Sequence, residues 1–286
     1  MLRFIKNILD PLNVLGMVRN IPERTITLTT VYADPAIAIQ CAEAFAIHTI
    51  KNGAHETQSF TDMPSLSIIA LQADAGSEIV IDGNISTFVI GNINGEDYSD
   101  LDVSNCESLI YLEIDDIPTL ASVDTSHNDG LLFLELDSVP NIASIDVSHN
   151  IMLYGLSIKN CPLIASVDTT ANTLLRRLGL YDLPLVTSID VSQNDLEHLL
   201  LENLPLTSLD VIHTSHLYYT DFTNLPDLTF LAVRGTEQGA TNDFAQLITD
   251  ATSTTGTLRT VATDQYYSTL ATAATNKGWN IETVII

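Results

Sequence analysis

Ser122-Val123-Asp124-Thr125-Ser126 is followed by Ser144-Ile145-Asp146-Val147-Ser148, Ser166-Val167-Asp168-Thr169-Thr170, Ser188-Ile189-Asp190-Val191-Ser192 and Ser208-Leu209-Asp210-Val211-Ile212. The phrase returns with a 22-residue period, shortened to 20 at the last step. A second phrase is interleaved with it, an L-x-L strand signal followed four residues later by proline, at Pro118, Pro140, Pro162, Pro184, Pro205 and Pro226. A period of this length is the signature of a solenoid, in which each repeat is one coil stacked on the last. In each coil one strand contributes alternating aliphatics such as Leu112 and Ile114. The turn adds Ile117 and Leu120, and the opposite strand adds Val123. One coil buries too little to offset the entropy of ordering it, so neighbouring coils must fold together.

The chain carries 36 acidic and 11 basic residues, a formal net charge of -25. Such a field repels polyphosphate and anionic membranes, which argues against nucleic-acid binding. No window reaches the roughly 18 uninterrupted apolar residues of a membrane helix. The three cysteines, Cys41, Cys106 and Cys161, are few and widely spaced, which suits core-lining thiols better than a disulfide framework or zinc site.

Residues 1–24 form a distinct segment. Arg3, Lys6, Arg19 and Arg24 against Asp10 and Glu23 give it a net charge of +2, leaving -27 on the rest. Its start resembles a secretory signal, but Asn7, Asp10, Pro11 and Asn13 interrupt the apolar run and no A-x-A site follows, so no export signal is expected. Its apolar residues are too many for a free tail in water. Either the segment folds back over the first coil or it anchors the chain to another protein through Phe4, Ile5, Ile8, Leu9 and Leu12.

Residues 25–59 read as a strand-helix cap. Thr25–Tyr32 alternates, and Asp34-Pro35 then opens an alanine-rich stretch over Ala36–Ile50 that ends before Gly53, the cap and stop signals of a helix. The solenoid is expected over 60–236. Its first coils are degenerate, with strand-like triplets at Ile69, Ile79 and Phe88, and the regular coils begin near Leu101. Residues 237–286 read as an α/β cap of helix, strand, helix and final strand, with the lone Trp279 packed into the last interface. The fold class expected is therefore an α/β repeat solenoid of about eight right-handed coils with two parallel sheets, closed by a cap at each end.

The L-x-S-[IV]-D-[VT]-S-x-N phrase, alternating with an L-x-x-L-x-L strand, resembles the two-sheeted leucine-rich repeats of surface proteins from Bacteroides-like bacteria and of proteins encoded by their phages. The closing Lys277-Gly278-Trp279-Asn280-Ile281 is similar to the Gly-Trp strand that often ends those arrays. The resemblance covers residues 60–286. It implies a leucine-rich-repeat fold and a role in adhesion, partner binding or the virion.

Catalytic signatures are absent: there is no H-E-x-x-H, G-x-S-x-G, G-x-x-x-x-G-K-[ST] or G-x-G-x-x-G. His127 and His149 share a row with Ala171, Gln193 and His213, a tolerance that suits solvated turns better than a metal pair. Asp124, Asp146, Asp168 and Asp190 should stack at about 4.8 Å along one sheet. They are either hydroxyl-supported solvated carboxylates or a row of weak divalent-cation sites. Asn128, Asn150, Asn172 and Asn194 form a separate ladder that should bond the backbone of adjacent coils.

Outward positions repeat almost unchanged on the Asp side and vary coil by coil on the other. Uniform rows are what a fold requires, and variable rows are free to carry recognition. Partner binding is therefore expected through Tyr111, Phe133, Arg177, Tyr181, His198 and Tyr219. The reading is a non-enzymatic interaction protein with no cofactor, part of a larger assembly, held by its N-terminal segment and displaying a surface for a protein or glycan. The address expected is a phage virion, with a bacterial surface adhesin as the rival and a polysaccharide-directed enzyme third.

Overall fold

The computed structural model describes residues 25–30, 36–41, 43–51, 54–70, 75–91, 98–214, 216–233, 238–261 and 267–284. The described chain is mostly β-strand, arranged in three sheets with two helices.

The N-terminal part contains β1 (Thr25–Thr30), β2 (Ala36–Cys41), β3 (Phe45–Lys51), β4 (Ala54–Phe60), β5 (Met63–Ala70), β6 (Glu78–Asp82), β7 (Ile85–Gly91) and β8 (Tyr98–Asp102). One five-stranded antiparallel sheet has the order β4-β3-β6-β1-β8. The helix expected over Ala36–Ile50 is not formed, and β2 and β3 occupy that stretch. Ile37, Ile39 and Cys41 alternate and are fully buried, while Ala38 faces the opposite side. This period of two satisfies a two-faced sheet, and the tertiary pairing overrides the helix propensity of the alanines. The strands expected as degenerate coils also differ. β2 pairs antiparallel with both β5 and β7, so parallel stacking begins only where β7 meets the next repeat.

From there one strand per repeat joins the same sheet: β9 (Tyr111–Asp115), β10 (Phe133–Asp137), β11 (Gly155–Lys159) and β12 (Arg177–Tyr181). After β13 (Ser188–Asp190) come β14 (His198–Glu202), β15 (Ser208–Asp210), β16 (Tyr219–Thr223) and β17 (Phe230–Ala232). The resulting nine-stranded sheet has the order β16-β14-β12-β11-β10-β9-β7-β2-β5. Its parallel register follows the sequence period, Tyr111 beside Phe133, then Gly155, Arg177, His198 and Tyr219. Leu112, Leu134, Leu156, Leu178 and Leu199 form one inward row and Ile114, Leu136, Ile158, Leu180 and Leu201 a second, all buried in one continuous core.

After each of these strands the chain turns through a residue with positive φ: Asp116, Ser138, Asn160, Asp182, Asn203 and Asn224, all between 51° and 56°. Short polar side chains are the non-glycine residues that tolerate this region best, which accounts for the D/S/N choice. The N–H groups of Asp116, Ser138, Asn160, Asp182 and Asn203 each donate to the last strand carbonyl of the next repeat. With the prolines they line a shallow groove of about 580 Å³.

The opposite side of the stack departs from expectation. A main-chain ladder exists there only from β13 onward, in the order β13-β15-β17-β18-β19, preceded by a single bridge between Asp168 and Asp190. At the turn that follows, Asp side chains bind the backbone in the repeats without the ladder and in those with it. Asp124 Oδ1 accepts the N–H of Ser126 at 2.9 Å, and Asp146 and Asp168 do the same with Ser148 and Thr170. Asp190 and Asp210, inside the ladder, accept the N–H of Ser192 and Ile212 in the same way, so this turn is common to both parts of the stack. The inward aliphatics of this side still stack, with Val167 and Ile189 buried and Val123 and Ile145 packed against the core.

Between the two sides runs the asparagine ladder. Asn150 Nδ2 donates to Thr125 O and Asn128 O, Asn172 Nδ2 to Val147 O and Asn150 O, and Asn194 Nδ2 to Thr169 O and Asn172 O. Each buried amide thus joins its own repeat to the one before it, and its NH2 group finds two carbonyl acceptors within the core.

The C-terminal end is closed by α1 (Gln238–Asp250), β18 (Thr257–Val261), α2 (Tyr267–Lys277) and β19 (Asn280–Val284). Phe244 of α1 packs on Phe222 of β16, with ring centroids 5.0 Å apart, which covers that end of the nine-stranded sheet. Trp279 is buried and its Nε1 donates to Ser253 O at 2.9 Å. No described helix is long and apolar enough to cross a membrane.

Candidate interaction face

The outward side chains of the nine-stranded sheet fall into three rows fixed by the strand register. The first runs Thr87, Tyr111, Phe133, Gly155, Arg177, His198, Tyr219. The second runs Val89, Glu113, Glu135, Ser157, Gly179, Leu200, Asp221. The third runs Gly91, Asp115, Asp137, Lys159, Tyr181, Glu202, Thr223. Parallel strands set neighbouring members of a row about 4.8 Å apart, close enough for side chains to interact.

The half of this face toward the N-terminus is closed. Tyr111 and Phe133, expected to present their rings to a partner, are only 2% and 4% exposed and pack with Ala38, Val89, Leu66, Leu132 and Tyr154. They are therefore not displayed as anchors: facing away from the repeat core does not make a side chain accessible. The Phe133 ring lies against Gly155, where a Cβ would come within 2.7 Å of it. Tyr111 Oη donates to Glu113 Oε2 at 2.7 Å. Burial, reinforced by the Glu113 charge, pushes the Glu135 carboxyl up to about 7, and burial raises Glu113 as well. Burial and the neighbouring Asp137 charge raise Asp115. Lys159 pairs with Asp137 at 3.2 Å.

The other half is open. Tyr218 and Tyr219 are 50% and 47% exposed, and His198 lies between their rings, 5.0 and 5.3 Å from the two centroids. His198 Nε2 and Tyr218 Oη share a 2.9 Å hydrogen bond. The Arg177 guanidinium sits 5.7 Å from the Tyr154 ring centroid, and Tyr154 Oη donates to Glu197. Arg176 reaches the same Glu197 at 3.9 Å. Burial, then the Arg177 charge, lowers the His198 pKa. Tyr181 is half-buried over Gly179, and its hydroxyl pKa is pushed up to about 12 by burial first and then by Asp221.

Of the six residues expected to bind a partner, Arg177, His198 and Tyr219 come together here, Tyr181 lies partly covered beside them, and Tyr111 and Phe133 do not contribute. Sequence reasoning missed Tyr154, Arg176, Glu197 and Tyr218. These lie one residue before each strand and form a fourth variable row with Ile110 and Leu132. Its variation from repeat to repeat was the signal that could have found them. The expected anchor residues Phe4, Ile5, Ile8, Leu9 and Leu12 lie outside the described residues.

On the opposite side Asp124, Asp146, Asp168 and Asp190 are exposed, and bonds from the following Ser or Thr backbone N–H lower their carboxyl pKa values. Among the described residues no three His, Cys, Asp or Glu side chains converge where a metal could sit. Cys41, Cys106 and Cys161 are buried free thiols.

No family model matches the sequence, and no curated protein matches it. Among solved structures the chain is similar to the functional domain of InlJ from Listeria monocytogenes, a domain that includes a cysteine ladder. The match has 17% identity and a TM-score of 0.29, and it covers 62% of this chain and 59% of that one. The chain thus spans about three-fifths of the length of that neighbour.

Proposed function

We propose that this protein is a non-enzymatic interaction protein, a right-handed leucine-rich-repeat solenoid that belongs to a phage particle and binds a protein or glycan through the open half of its nine-stranded sheet. One contrast carries the reading. The Asp and Asn rows repeat almost unchanged because the backbone uses them, whereas the outer rows vary along the sheet and end in two tyrosines about half exposed. Clustered exposed aromatics beside an arginine are the composition of a binding hot spot, supplying contact area at little entropic cost. The catalytic alternative has less support: Glu113 is closed off with Tyr111, and Glu135 is half-buried beside it, away from the open half.

Mass spectrometry of purified particles provides the test. The chain should be present in fixed copy number, and particles carrying Tyr218→Ala with Tyr219→Ala should retain it and adsorb to host cells at least about tenfold less, equivalent to about 1.4 kcal/mol or more. Recovery of the chain in washed cell envelopes and not in particles would replace this reading with a bacterial surface adhesin.

A further inference from the structure

Arg177 of β12 carries a charge that no carboxylate answers among the described residues. Lys159, Arg176 and Arg259 each face one, at 3.2, 3.9 and 3.0 Å. The Arg177 guanidinium has no such partner, and its Nε is buried without a hydrogen bond. On a chain with 36 acidic residues against 11 basic ones, it is a local positive potential in an acidic field. Its surroundings are aromatic. The register sets Arg177 beside His198 and His198 beside Tyr219, and the guanidinium lies 5.7 Å from the Tyr154 ring centroid.

We propose that Arg177 receives the carboxylate of an acidic sugar whose chain lies over His198 and Tyr219, so that the ligand is a glycan with isolated carboxylates. The inference rests on the proposed function in taking the open half as the binding face. A guanidinium fork matches a planar carboxylate with two parallel hydrogen bonds. Tyrosine and histidine rings offer apolar faces to sugar C–H groups, and Glu197, Glu202 and Asp221 around them offer acceptors to hydroxyls. Size favours a glycan over a folded protein. From Tyr154 to Tyr218 there are three strand spacings, about 14 Å, and five residues along a strand add about 17 Å in the other direction. That is a patch of roughly 250 Å², against about 800 Å² on each partner of a standard protein interface. Charge then sets how acidic the glycan is. The same three carboxylates repel a polyanion, so neutral sugars must separate the acidic ones. Two strand spacings, about 10 Å, lie between Arg177 and Tyr219, which leaves room for a neutral sugar beside the acidic one.

The test titrates the full chain, by calorimetry at low salt, with a disaccharide of one glucuronic acid and one neutral hexose. The comparison is the same disaccharide with its carboxyl reduced to the primary alcohol. The acidic form should bind at least about tenfold more tightly. Arg177→Gln should bring the two forms within about twofold of each other, and Arg177→Lys, which keeps the charge and loses the fork, should leave an intermediate preference. Far-UV circular dichroism should be unchanged in both. Equal affinity for the two forms, or binding of neither, would overturn the inference, and the proposed function would stand if Tyr218→Ala with Tyr219→Ala still lowers adsorption. Unchanged adsorption with that double variant would instead overturn the proposed function, whatever the calorimetry gives. Treated host cells separate glycan from protein. Adsorption lost after periodate oxidation and retained after protease supports the inference, and the reverse pattern would assign the open half to a protein and overturn it.

Discussion

Thr125 Oγ1 donates a 2.9 Å hydrogen bond to Asn150 Oδ1 across 25 residues of sequence, and the repeats on either side lack it. Asn128 and Asn172 face Val103 and Val147 at the equivalent position, and the Oδ1 of each is buried without a partner. Thr169 restores the bond, to Asn194 Oδ1 at 2.8 Å. The Val/Thr alternation in the D-[VT]-S phrase is thus an alternation in whether a buried amide oxygen is satisfied. Thr125→Val should cost about 1–3 kcal/mol, because it strands Asn150 Oδ1. Val147→Thr keeps the shape and adds the missing donor, so it should be neutral or stabilising by about 1 kcal/mol. Urea unfolding of the two variants checks the pair, and a destabilised Val147→Thr would mean that its hydroxyl does not reach Asn172.

The C-terminal closure contains its own reporter. Trp279 is the single tryptophan, and its indole lies so close to Gly256 that a Cβ there would overlap the ring. Gly256→Ala should expel the indole from its seat and cost about 1–3 kcal/mol, the usual range for overpacking. Tryptophan emission should shift to the red in the folded variant. Unchanged emission with unchanged stability would show that the cap absorbs a methyl group freely.

A pH dependence follows from Glu135, whose carboxyl is raised by burial from 4.5 to about 7. Below the unfolded value both states are protonated and the native state is not penalised. Between about pH 4.5 and 7 the unfolded chain releases the proton first, so the native state binds more protons and stability falls as pH rises. His198, lowered by burial, contributes with the opposite sign below its ordinary value of 6.5, so the useful quantity is a difference. Wild type minus Glu135→Gln stability, measured from pH 4 to 8, should decline through this window and level off above it.

Asp168 behaves in the opposite way. Its Oδ1 accepts bonds from Thr170 N at 2.9 Å and Thr170 Oγ1 at 2.7 Å, and these lower its pKa despite the neighbouring Asp146. Hydrogen bonding outweighs like-charge repulsion, contrary to the simple expectation for a stacked acidic row. The carboxylate therefore contributes stability above the ordinary value of 3.8, and the contribution is lost as pH falls through the lower folded value. Asp168→Asn should be slightly less stable than wild type at pH 7 and indistinguishable from it near pH 2. A gain at pH 7 would show that repulsion dominates.

The repeat register was legible because strand pairing is local in phase: once Leu112 and Leu134 share a row, every outward residue between them is assigned. The asparagine ladder was legible for the same reason. The first strands were misread because Ala36-Ile37-Ala38-Ile39 satisfies a helix by propensity and a strand by alternation, and only the partners β5 and β7 decide between them. The start of the ladder on the Asp side was not legible because the S-x-D phrase and its turn bond are the same in repeats that pair there and in repeats that do not. Accessibility was not legible at all, since a sequence phase fixes which face a side chain is on and leaves open what lies over that face.

Tyr111 and Tyr219 illustrate that last limit, because they occupy the same row of the same sheet and differ only in surroundings. Tyr111 is 2% exposed, bonded to Glu113 and packed near Phe133, with ring centroids 6.2 Å apart. Tyr219 is 47% exposed beside His198. Truncating a buried aromatic removes its transfer energy and leaves a cavity, so Tyr111→Ala should cost about 3–5 kcal/mol. The same change at Tyr219 should stay within about 0.5 kcal/mol, as surface substitutions do. Tyr111→Phe separates packing from polarity: it keeps the ring but leaves Glu113 without its donor, and should cost about 1–3 kcal/mol. Denaturant midpoints of the three variants order the outcomes. Equal effects of Tyr111→Ala and Tyr219→Ala would mean that the first half of the face is as open in solution as the second, and that the closed and open halves described here are one surface.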